Sequence, residues 1–383
     1  MRTFNVGILG CGVISRTYVS DIQAFYPRLK IVACADVSLA LAEKLAREFD
    51  IPKACLTEEL LADEAVEIVV NLTPPQLHVA LDKQIIAAGK HLFSEKPFTP
   101  GVAEAGEIMT LAKAAGVRVG CAPDTFLSSG LQSVRWYLDR GLIGRPFFVT
   151  ANMTTFGYET WHPNVEPFYR KGAGPLYDMA PYYLSAIVAL LGPIESIAAF
   201  GTRGIEKRRL YVGVRAGEEI TPEVPTHYTA ILRLCSGVVA NLNVSFDIYR
   251  SNLPMLEIYG DGGTLAYPDP NFGGGAPRVY RKEQYIDPLF RDTDEARALK
   301  ERFRELPELF PRLKDYSRGI GVLDLAAAID SGRPNRAGGE LATHITEAIE
   351  GLIQSAETGA FYRMRTTCAI PEPIEPGQAP GEI

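Results

Sequence analysis

The chain has no basic tract: over 383 residues its 39 Lys and Arg are interspersed with 46 Asp and Glu, for a formal net charge of −7. Nucleic acids and anionic membranes are recognised through clustered cations, so neither is expected as a partner. No stretch approaches the roughly 18 apolar residues of a spanning helix. CxxC is absent, and the six cysteines (Cys11, Cys34, Cys55, Cys121, Cys235 and Cys368) lie scattered, away from any histidine cluster. That pattern holds no zinc spacing, so no metal is expected, and it suits reduced thiols in a cytoplasmic protein. "MRTFNVGILG" enters a strand directly, without the charged, apolar and cleavage regions of a leader. Internal repeats are absent too.

What is present is an ordinary globular composition, 46% hydrophobic and 22% charged, on a chain longer than one average domain. Its first part alternates strand and helix. "FNVGILG", "KIVACAD", "VEIVVNLTP", "KHLFSEKP" and "VRVGCAP" read as strands with few polar residues, separated by helical segments such as "SLALAEKLAREF" with Ser38 as N-cap. Such strands predict a parallel sheet covered on both faces. Beyond about residue 145 strands follow one another without helices between them. "VVANLNVSFDIY" alternates, with Leu242, Val244, Phe246 and Ile248 on one face and Asn241, Asn243, Ser245 and Asp247 on the other. "LEIYGDGGTLAYP" predicts a hairpin turning at Gly262-Gly263. An antiparallel or mixed sheet with one open face is expected, and that face is a common dimer surface. Two late helices are expected in "SRGIGVLDLAAAIDSG" and "GELATHITEAIEGLIQSAETG", one packing back on the first domain. Residues 268–315, rich in Pro, Gly and charge, read as an excursion. The expected division is 1–122, 123–368 and a mobile Pro-rich tail, 369–383.

"GILGCGVIS" places Gly10-x-Gly12-x-x-Ser15 after a strand and at a helix start. The glycines allow a tight turn and close approach of backbone to a pyrophosphate, which the helix N–H groups of Val13 and Ile14 can meet. Ser15 stands where a third glycine or alanine is usual and is small enough for the packing. Asp36 ends the second strand, where a carboxylate accepts both ribose hydroxyls and repels a 2′-phosphate. No arginine follows in "DVSLA", so NAD(H) is expected over NADP(H). A glycine-rich turn that is only a turn, and an Asp36 that only caps a helix, are the plainer readings. Thr73 and Pro74 lie at the next strand end, where ligands of open α/β sheets sit. His78 begins the following helix and reads equally as a structural histidine.

In order, GxGxxS, Asp36, "TPPQLH", "EKP" and "GAGPLYDMAPYYL" resemble the Gfo/Idh/MocA oxidoreductases, the glucose–fructose oxidoreductase and inositol dehydrogenase type, over about residues 4 to 365. The resemblance implies an N-terminal Rossmann doubly wound parallel sheet and a C-terminal α/β domain with a large, mostly antiparallel open sheet. It implies a substrate held between them over the nicotinamide, and a homodimer or homotetramer formed through the C-terminal sheet. Lys96 of "EKP" would then contact nicotinamide and reacting hydroxyl, with Glu95 beside the cofactor. The chemistry agrees, since a strand-end ammonium stabilises a forming alkoxide. Pro97 restricts Lys96 to an extended conformation. A solvated Glu-Lys pair is the competing reading.

Many members carry Asp-x-Gly-x-His in the second motif; here it is Asp178-Met-Ala-Pro-Tyr182. A helix beginning near Leu176 would put Asp178 and Tyr182, four apart, on one face. Tyrosine at that position is similar to the glucose–fructose oxidoreductase and dimeric dihydrodiol dehydrogenase branch, where it is the acid/base. Its reference pKa of about 10 suits donation to a carbonyl. Asp178 would bind a substrate hydroxyl. Tyr182 as a packing residue is the alternative. His162, in the polar, aromatic loop 158–175, competes for the proton step. Trp161 beside it offers a flat face to a sugar ring. Asp124 in "CAPDTF" is expected to face the substrate, and His227 and His344 to serve structure.

The expected activity is NAD(H)-dependent oxidoreduction of a secondary alcohol in a polyhydroxylated small molecule: a sugar, cyclitol or sugar derivative. Two rivals stand beside it. One is an NAD-using glycosidase or lyase of this fold that oxidises transiently; the other is a cofactor-binding regulator without catalysis.

Overall fold

A computed structural model describes residues 2–290, 302–310 and 318–377. The chain divides into two compact units. The first comprises Met1–Ser129, Phe310–Glu347 and Thr366–Ile383, and the second Gly130–Leu309 and Ala348–Arg365.

The first unit is built on a six-stranded sheet of β1 (Phe4–Leu9), β2 (Leu29–Ala35), β3 (Lys53–Cys55), β4 (Ile68–Asn71), β5 (His91–Ser94) and β6 (Val119–Cys121). Its order is β3-β2-β1-β4-β5-β6, with every ladder parallel. The order reverses between β1 and β4, the switch point of a doubly wound sheet. The strands read as near-continuous apolar runs because helices cover both faces: all four residues of β4 and five of six in β1 are buried. The helices α1 (Val13–Phe25), α2 (Leu39–Phe49), α3 (Thr57–Ala62), α4 (Pro75–Ala87) and α5 (Val102–Ala115) make the crossovers.

The late segment completes this unit. The helix Ile320–Ser331 has Gly319 at its N-cap, which offers no side chain to its open N–H groups. Asp124 does so instead, its Oδ2 accepting from the Gly321 amide at 2.7 Å. Asp330 of the same helix pairs with Arg28 at 2.8 Å, and Asp324 pairs with Arg333 and Arg336, each at 2.7 Å. Within the Pro-rich tail, the Glu372 and Pro373 carbonyls accept from Arg336, and Ile374 is buried. Residues 378–383 of that tail lie outside the described residues.

The second unit carries a nine-stranded sheet ordered β16-β15-β14-β13-β7-β12-β11-β8-β17. Its strands are β7 (Pro146–Thr154), β8 (Ile194–Thr202), β11 (His227–Leu234), β12 (Val239–Ser245), β13 (Leu256–Gly260), β14 (Gly263–Tyr267), β15 (Arg278–Arg281), β16 (Arg304–Glu305) and β17 (Tyr362–Arg363). A separate ribbon joins β9 (Arg208–Arg209) and β10 (Glu219–Ile220). Among the described residues only the β7–β12 ladder of this sheet is parallel, and a long connection separates those strands. The hairpin of β13 and β14 turns at Asp261-Gly262, one residue earlier than expected, with Gly260 opposite Gly263. Part of the 268–315 excursion adds β15 and β16 to the sheet edge; its residues 291–301 and 311–315 lie outside the described residues.

The alternation of β12 holds through Ser245, where the strand ends. Ala240, Leu242 and Val244 fill the core. On the other face a polar ladder runs in register across three strands, Asn152–Asn243–Thr229, and ends at Phe200 on the fourth. Asn243 donates to Asn152 at 2.6 Å and accepts from Thr229 at 2.6 Å. Cross-strand pairs of this kind fix register on a face that apolar burial does not specify.

Two buried titratable groups of the first unit give opposite pH dependences. Burial lowers the His344 pKa from its ordinary 6.5 to about 4, so the ring stays neutral when folded. The unfolded chain binds that proton first, so the contribution is complete above pH 6.5 and lost toward pH 4, about 3 kcal/mol. Burial raises Asp82 to about 6, despite a bond from Asn71 that favours its charge. Its contribution is present below about pH 4 and lost as pH rises toward 6, again about 3 kcal/mol. The two slopes oppose each other over one window. Asp82→Asn removes one of them, so D82N should lose about 3 kcal/mol more than wild type between pH 6.5 and 4. Guanidinium titrations at several pH values read this directly, and parallel wild-type and D82N curves would contradict it.

Candidate active site

In the first unit the site grows from the glycine-rich turn. Gly10 has φ +96°, and a Cβ there would lie 2.8 Å from the Leu72 carbonyl carbon and the Thr73 nitrogen. The turn therefore packs backbone to backbone against the end of β4, which only glycine permits. Gly12 is the opposite case: a Cβ there would meet no atom within 4 Å. It is the N-cap of α1, no side chain caps this end, and Val13 is 90% exposed. Ile14 is half-buried, and Ser15 turns inward to the Gly12 carbonyl at 2.7 Å. An open cradle at an uncapped helix start fits a pyrophosphate.

Asp36 follows β2. One oxygen accepts from the Cys11 amide at 2.8 Å and the other from the Ser38 amide at 2.9 Å. The carboxylate is thus held at the rim of the turn by backbone alone, with remaining lone pairs for ribose hydroxyls. Val37 and Leu39 beside it are exposed and apolar, and supply no cation for a 2′-phosphate.

At the ends of β4 and β5, Thr73 is half-buried and Pro74 exposed. His78, 1% exposed, lies between them and the next turn: Nδ1 is 2.9 Å from the Pro97 carbonyl oxygen and Nε2 2.8 Å from that of Thr73. Both ring nitrogens are engaged by backbone, so His78 ties the β4 edge to the Glu95-Lys96-Pro97 turn. Glu95 is 7% exposed. Its carboxylate accepts from the Lys96 amide at 2.7 Å and from the Tyr18 hydroxyl at 3.0 Å, and lies 3.6 Å from Arg318. Lys96 itself is half-buried, and its peptide bond to Pro97 is cis.

Behind Glu95 is a buried polar cluster absent from the sequence reading. The Arg318 amide donates to Asp21 at 2.8 Å, and Arg318, Asp21 and Tyr18 are all nearly without exposed surface. Burial, then the Glu95 charge, push the Tyr18 hydroxyl well above its ordinary pKa, so it donates to Glu95 and stays protonated. Asp124, read from sequence as a substrate contact, has no exposed surface and caps the helix Ile320–Ser331. Burial raises its pKa, and the Arg318 charge opposes that rise.

In the second unit, the 172–184 motif forms two helices, Gly174–Asp178 and Ala180–Leu191, where one was expected. Pro181 has no N–H to continue the ladder, and Tyr182 donates instead to Met179 at 3.3 Å. Asp178 closes the first helix, half-buried, while Tyr182 lies within the second at 3% exposure. Asp178 is engaged by Tyr158, whose hydroxyl donates to Oδ2. Sequence reasoning passed over Tyr158, which opens the aromatic loop 158–175 and lies 20 residues from its carboxylate.

Tyr158 is the hub of an aromatic cluster, with ring centroids of Trp161, Phe168 and Phe246 at 5.1, 4.5 and 5.1 Å. His162 packs edge-on to Trp161 and Phe168, and its Nδ1 accepts from the Asn164 amide at 3.1 Å. Trp161 is 62% exposed. Arg208 anchors this loop from below. It pairs with Glu159 and Asp247 and donates to the Phe246 carbonyl at 2.7 Å, all with its side chain 1% exposed. Tyr169 donates to the same Glu159 at 2.7 Å. His227 contacts Thr229, and His344 contacts Thr366.

A doubly wound sheet with a glycine turn at an open helix start, a carboxylate after its second strand and a lysine after its fifth has the architecture of an NAD-linked oxidoreductase. Sequence comparison bears this out. Residues 4–122 match the oxidoreductase family with an NAD-binding Rossmann fold, and residues 131–266 match the GFO/IDH/MocA C-terminal domain. The chain belongs to the Gfo/Idh/MocA oxidoreductase family. It is 27% identical to the uncharacterized oxidoreductase sll0816 of Synechocystis over 70% of this chain and 72% of that one. Against the bovine trans-1,2-dihydrobenzene-1,2-diol dehydrogenase it is 30% identical over 51% of this chain, spanning 59% of that enzyme's length. Levoglucosan dehydrogenase in its apo form shares the fold, with a TM-score of 0.79 at 18% identity over 96% of this chain and 100% of that one. No helix among the described residues is long and apolar enough to cross a membrane.

Proposed function

We propose that this NAD-binding oxidoreductase moves a hydride between the cofactor and a secondary-alcohol carbon of a sugar, cyclitol or related polyol. The observation that carries the reading is the setting of Lys96, which follows β5 on a turn locked by Glu95, Tyr18 and His78. An ammonium held there stabilises negative charge on the oxygen of the reacting carbon. When bound, NAD takes up hydride at nicotinamide C4 or returns it. Gly10, Gly12, Val13 and Ile14 would hold the pyrophosphate, and Asp36 the ribose hydroxyls. Thr73 and Pro74 would border the nicotinamide, with His78 and Glu95 fixing the backbone beneath it.

For the proton step the candidates named by sequence are Asp178, Tyr182 and His162. A polyol is favoured by a carboxylate and an exposed indole that both contact Tyr158, groups suited to sugar hydroxyls and their apolar ring faces. The bovine relative, by its name, acts on a ring-borne vicinal diol. We further read the open face of the nine-stranded sheet, with Phe200 and Ile231 exposed, as the surface through which copies pair. A monomeric mass by light scattering at micromolar concentration would contradict that reading.

The test of function is a screen of sugars and cyclitols with NAD and NADP side by side, followed at 340 nm. NADH formation with at least one polyol, and a clear preference for NAD through Asp36, is the expected result. Aglycone release from glycosides with no net NADH would instead support a transient-oxidation hydrolase or lyase. No turnover beside tight NAD binding would support a regulator.

A further inference from the structure

We propose that His78 acts as an imidazolium, a buried cation that positions the Lys96 turn by donating from both ring nitrogens, with Asp82 as its counter-ion. The charge state stands on the first unit alone, and its kinetic consequence rests on the hydride-transfer reading above.

The donor count carries the proposal. Nδ1 of His78 lies 2.9 Å from the Pro97 carbonyl oxygen, and Nε2 lies 2.8 Å from that of Thr73. A carbonyl oxygen only accepts, so each contact needs an N–H on the ring. A neutral imidazole has one N–H, and its other nitrogen would aim a lone pair at the second oxygen. The ring is 1% exposed, so bulk water does not part that contact. Two ring protons satisfy both ends, and one does not.

A buried cation calls for a counter-charge. Asp82 lies four residues further along α4, one turn away on the same face, with no exposed surface. Burial holds its pKa up at about 6, while the Asn71 bond and the His78 charge favour its ionised form. At neutral pH it is therefore a carboxylate. Its Oδ1 accepts from the Asn71 side-chain amide at 2.7 Å. Asn71 Oδ1 in turn accepts from the Thr73 amide at 3.2 Å and the Thr73 hydroxyl at 2.7 Å. The pair thus grips Thr73 twice, by its carbonyl through His78 and by its amide and hydroxyl through Asn71. Of the other titratable groups around it, Glu95, paired with Arg318, and Lys96 precede Pro97 on the facing turn. The Cys121 thiol on β6, pushed well above its ordinary pKa by burial and then by the Asp82 charge, stays neutral.

The two backbone segments joined here are those read above as bordering the nicotinamide and carrying Lys96. With both ring protons in place, the Thr73 and Pro97 carbonyls stay at the spacing that one imidazolium bridges. Loss of one proton as pH rises turns one bond into a repulsion, and the Lys96 turn is released from the β4 edge. Turnover should therefore fall on the alkaline side as the ring loses its charge.

The test labels histidine ring nitrogens isotopically in protein without nucleotide. NMR then reads them at about pH 7.5, where roughly nine-tenths of free histidine is neutral. The chain has five histidines, and H78Q, or single variants of the other four, assigns the His78 ring. Both His78 nitrogens should resonate as the protonated, imidazolium type. D82N should convert one of them to the unprotonated type at the same pH. With the best polyol from the screen, H78Q, which offers one donor group in place of two, should lose roughly 10- to 100-fold in kcat. The alkaline fall of wild-type kcat should follow the loss of the second ring proton and be absent from H78Q over that range. An unprotonated His78 nitrogen in wild type, or a ring whose charge D82N leaves unchanged, would overturn the inference whatever the kinetics. H78Q within about threefold of wild type would overturn the positioning role alone. A wild-type protein that reduces no NAD with any polyol would overturn the hydride-transfer reading and the positioning role with it, while the ring spectrum still decides the charge.

Discussion

Lys96→Ala is expected to lower NAD-dependent turnover roughly 100- to 1000-fold, the usual cost of removing one group that stabilises a developing oxyanion. Affinity for NADH should change little, because the Gly10–Gly12 turn and Asp36, which are proposed to hold the dinucleotide, lie on other strand ends. The loss should therefore fall in kcat, with the nucleotide Kd within a few-fold of wild type. The setting of the residue makes the separation clean. Glu95, 7% exposed, is held by the Tyr18 hydroxyl and itself accepts from the Lys96 amide. His78 holds the Pro97 carbonyl at 2.9 Å. Truncating the side chain leaves this frame in place, so the variant tests the ammonium and not the turn. Turnover within threefold of wild type would remove Lys96 from the mechanism.

Arg208→Met should be the most destabilising single change in the second unit. The Arg208 side chain is 1% exposed, and its partners Glu159 and Asp247 are 0% and 7% exposed. Methionine fills a similar volume but leaves two buried carboxylates without a cation. Breaking one partner of a buried ion pair costs about 3–5 kcal/mol. Stacking of the guanidinium over the Tyr169 ring, 4.9 Å from its centroid, is lost as well. A triple variant, R208M with E159Q and D247N, should recover part of that loss, because the uncompensated charges go with the cation. Chemical denaturation of the three proteins decides it. A loss below 1 kcal/mol in R208M, or a triple variant less stable still, would show that the pairing does not anchor the 156–169 loop.

The parts of the fold written in short-range spacing were legible in the sequence. A strand, two glycines, a helix and a carboxylate lie within about 30 residues of one another, and local geometry fixes them together. "EKP" was legible because a charged pair at the end of a buried strand needs a reason. The contacts that build the second unit's cluster are different in kind. Arg208 sits in "IEKRRLYV", which reads as a solvated basic stretch, yet its partners Glu159 and Asp247 lie 49 and 39 residues away. Only the tertiary fold makes it a core residue. Tyr158 drew no notice beside Trp161 and His162 because its bond to Asp178 joins residues 20 apart in sequence.

Asp124 shows the converse. Its place after β6 suggested a substrate contact, but a helix from 197 residues later needed its N-terminus capped, and the carboxylate serves that end. Pro181 likewise divides a helix that side-chain periodicity alone would draw as one.

The central claim is that hydride leaves a carbinol carbon for the cofactor. The most direct measurement uses the polyol with the highest 340 nm rate, deuterated at the oxidised carbon, and reads the nucleotide by mass spectrometry after turnover. One deuterium in each reduced nucleotide, with an equal yield of carbonyl product, is the result predicted. Deuterium absent from the nucleotide, or lost to water while a glycosidic bond breaks, would contradict it.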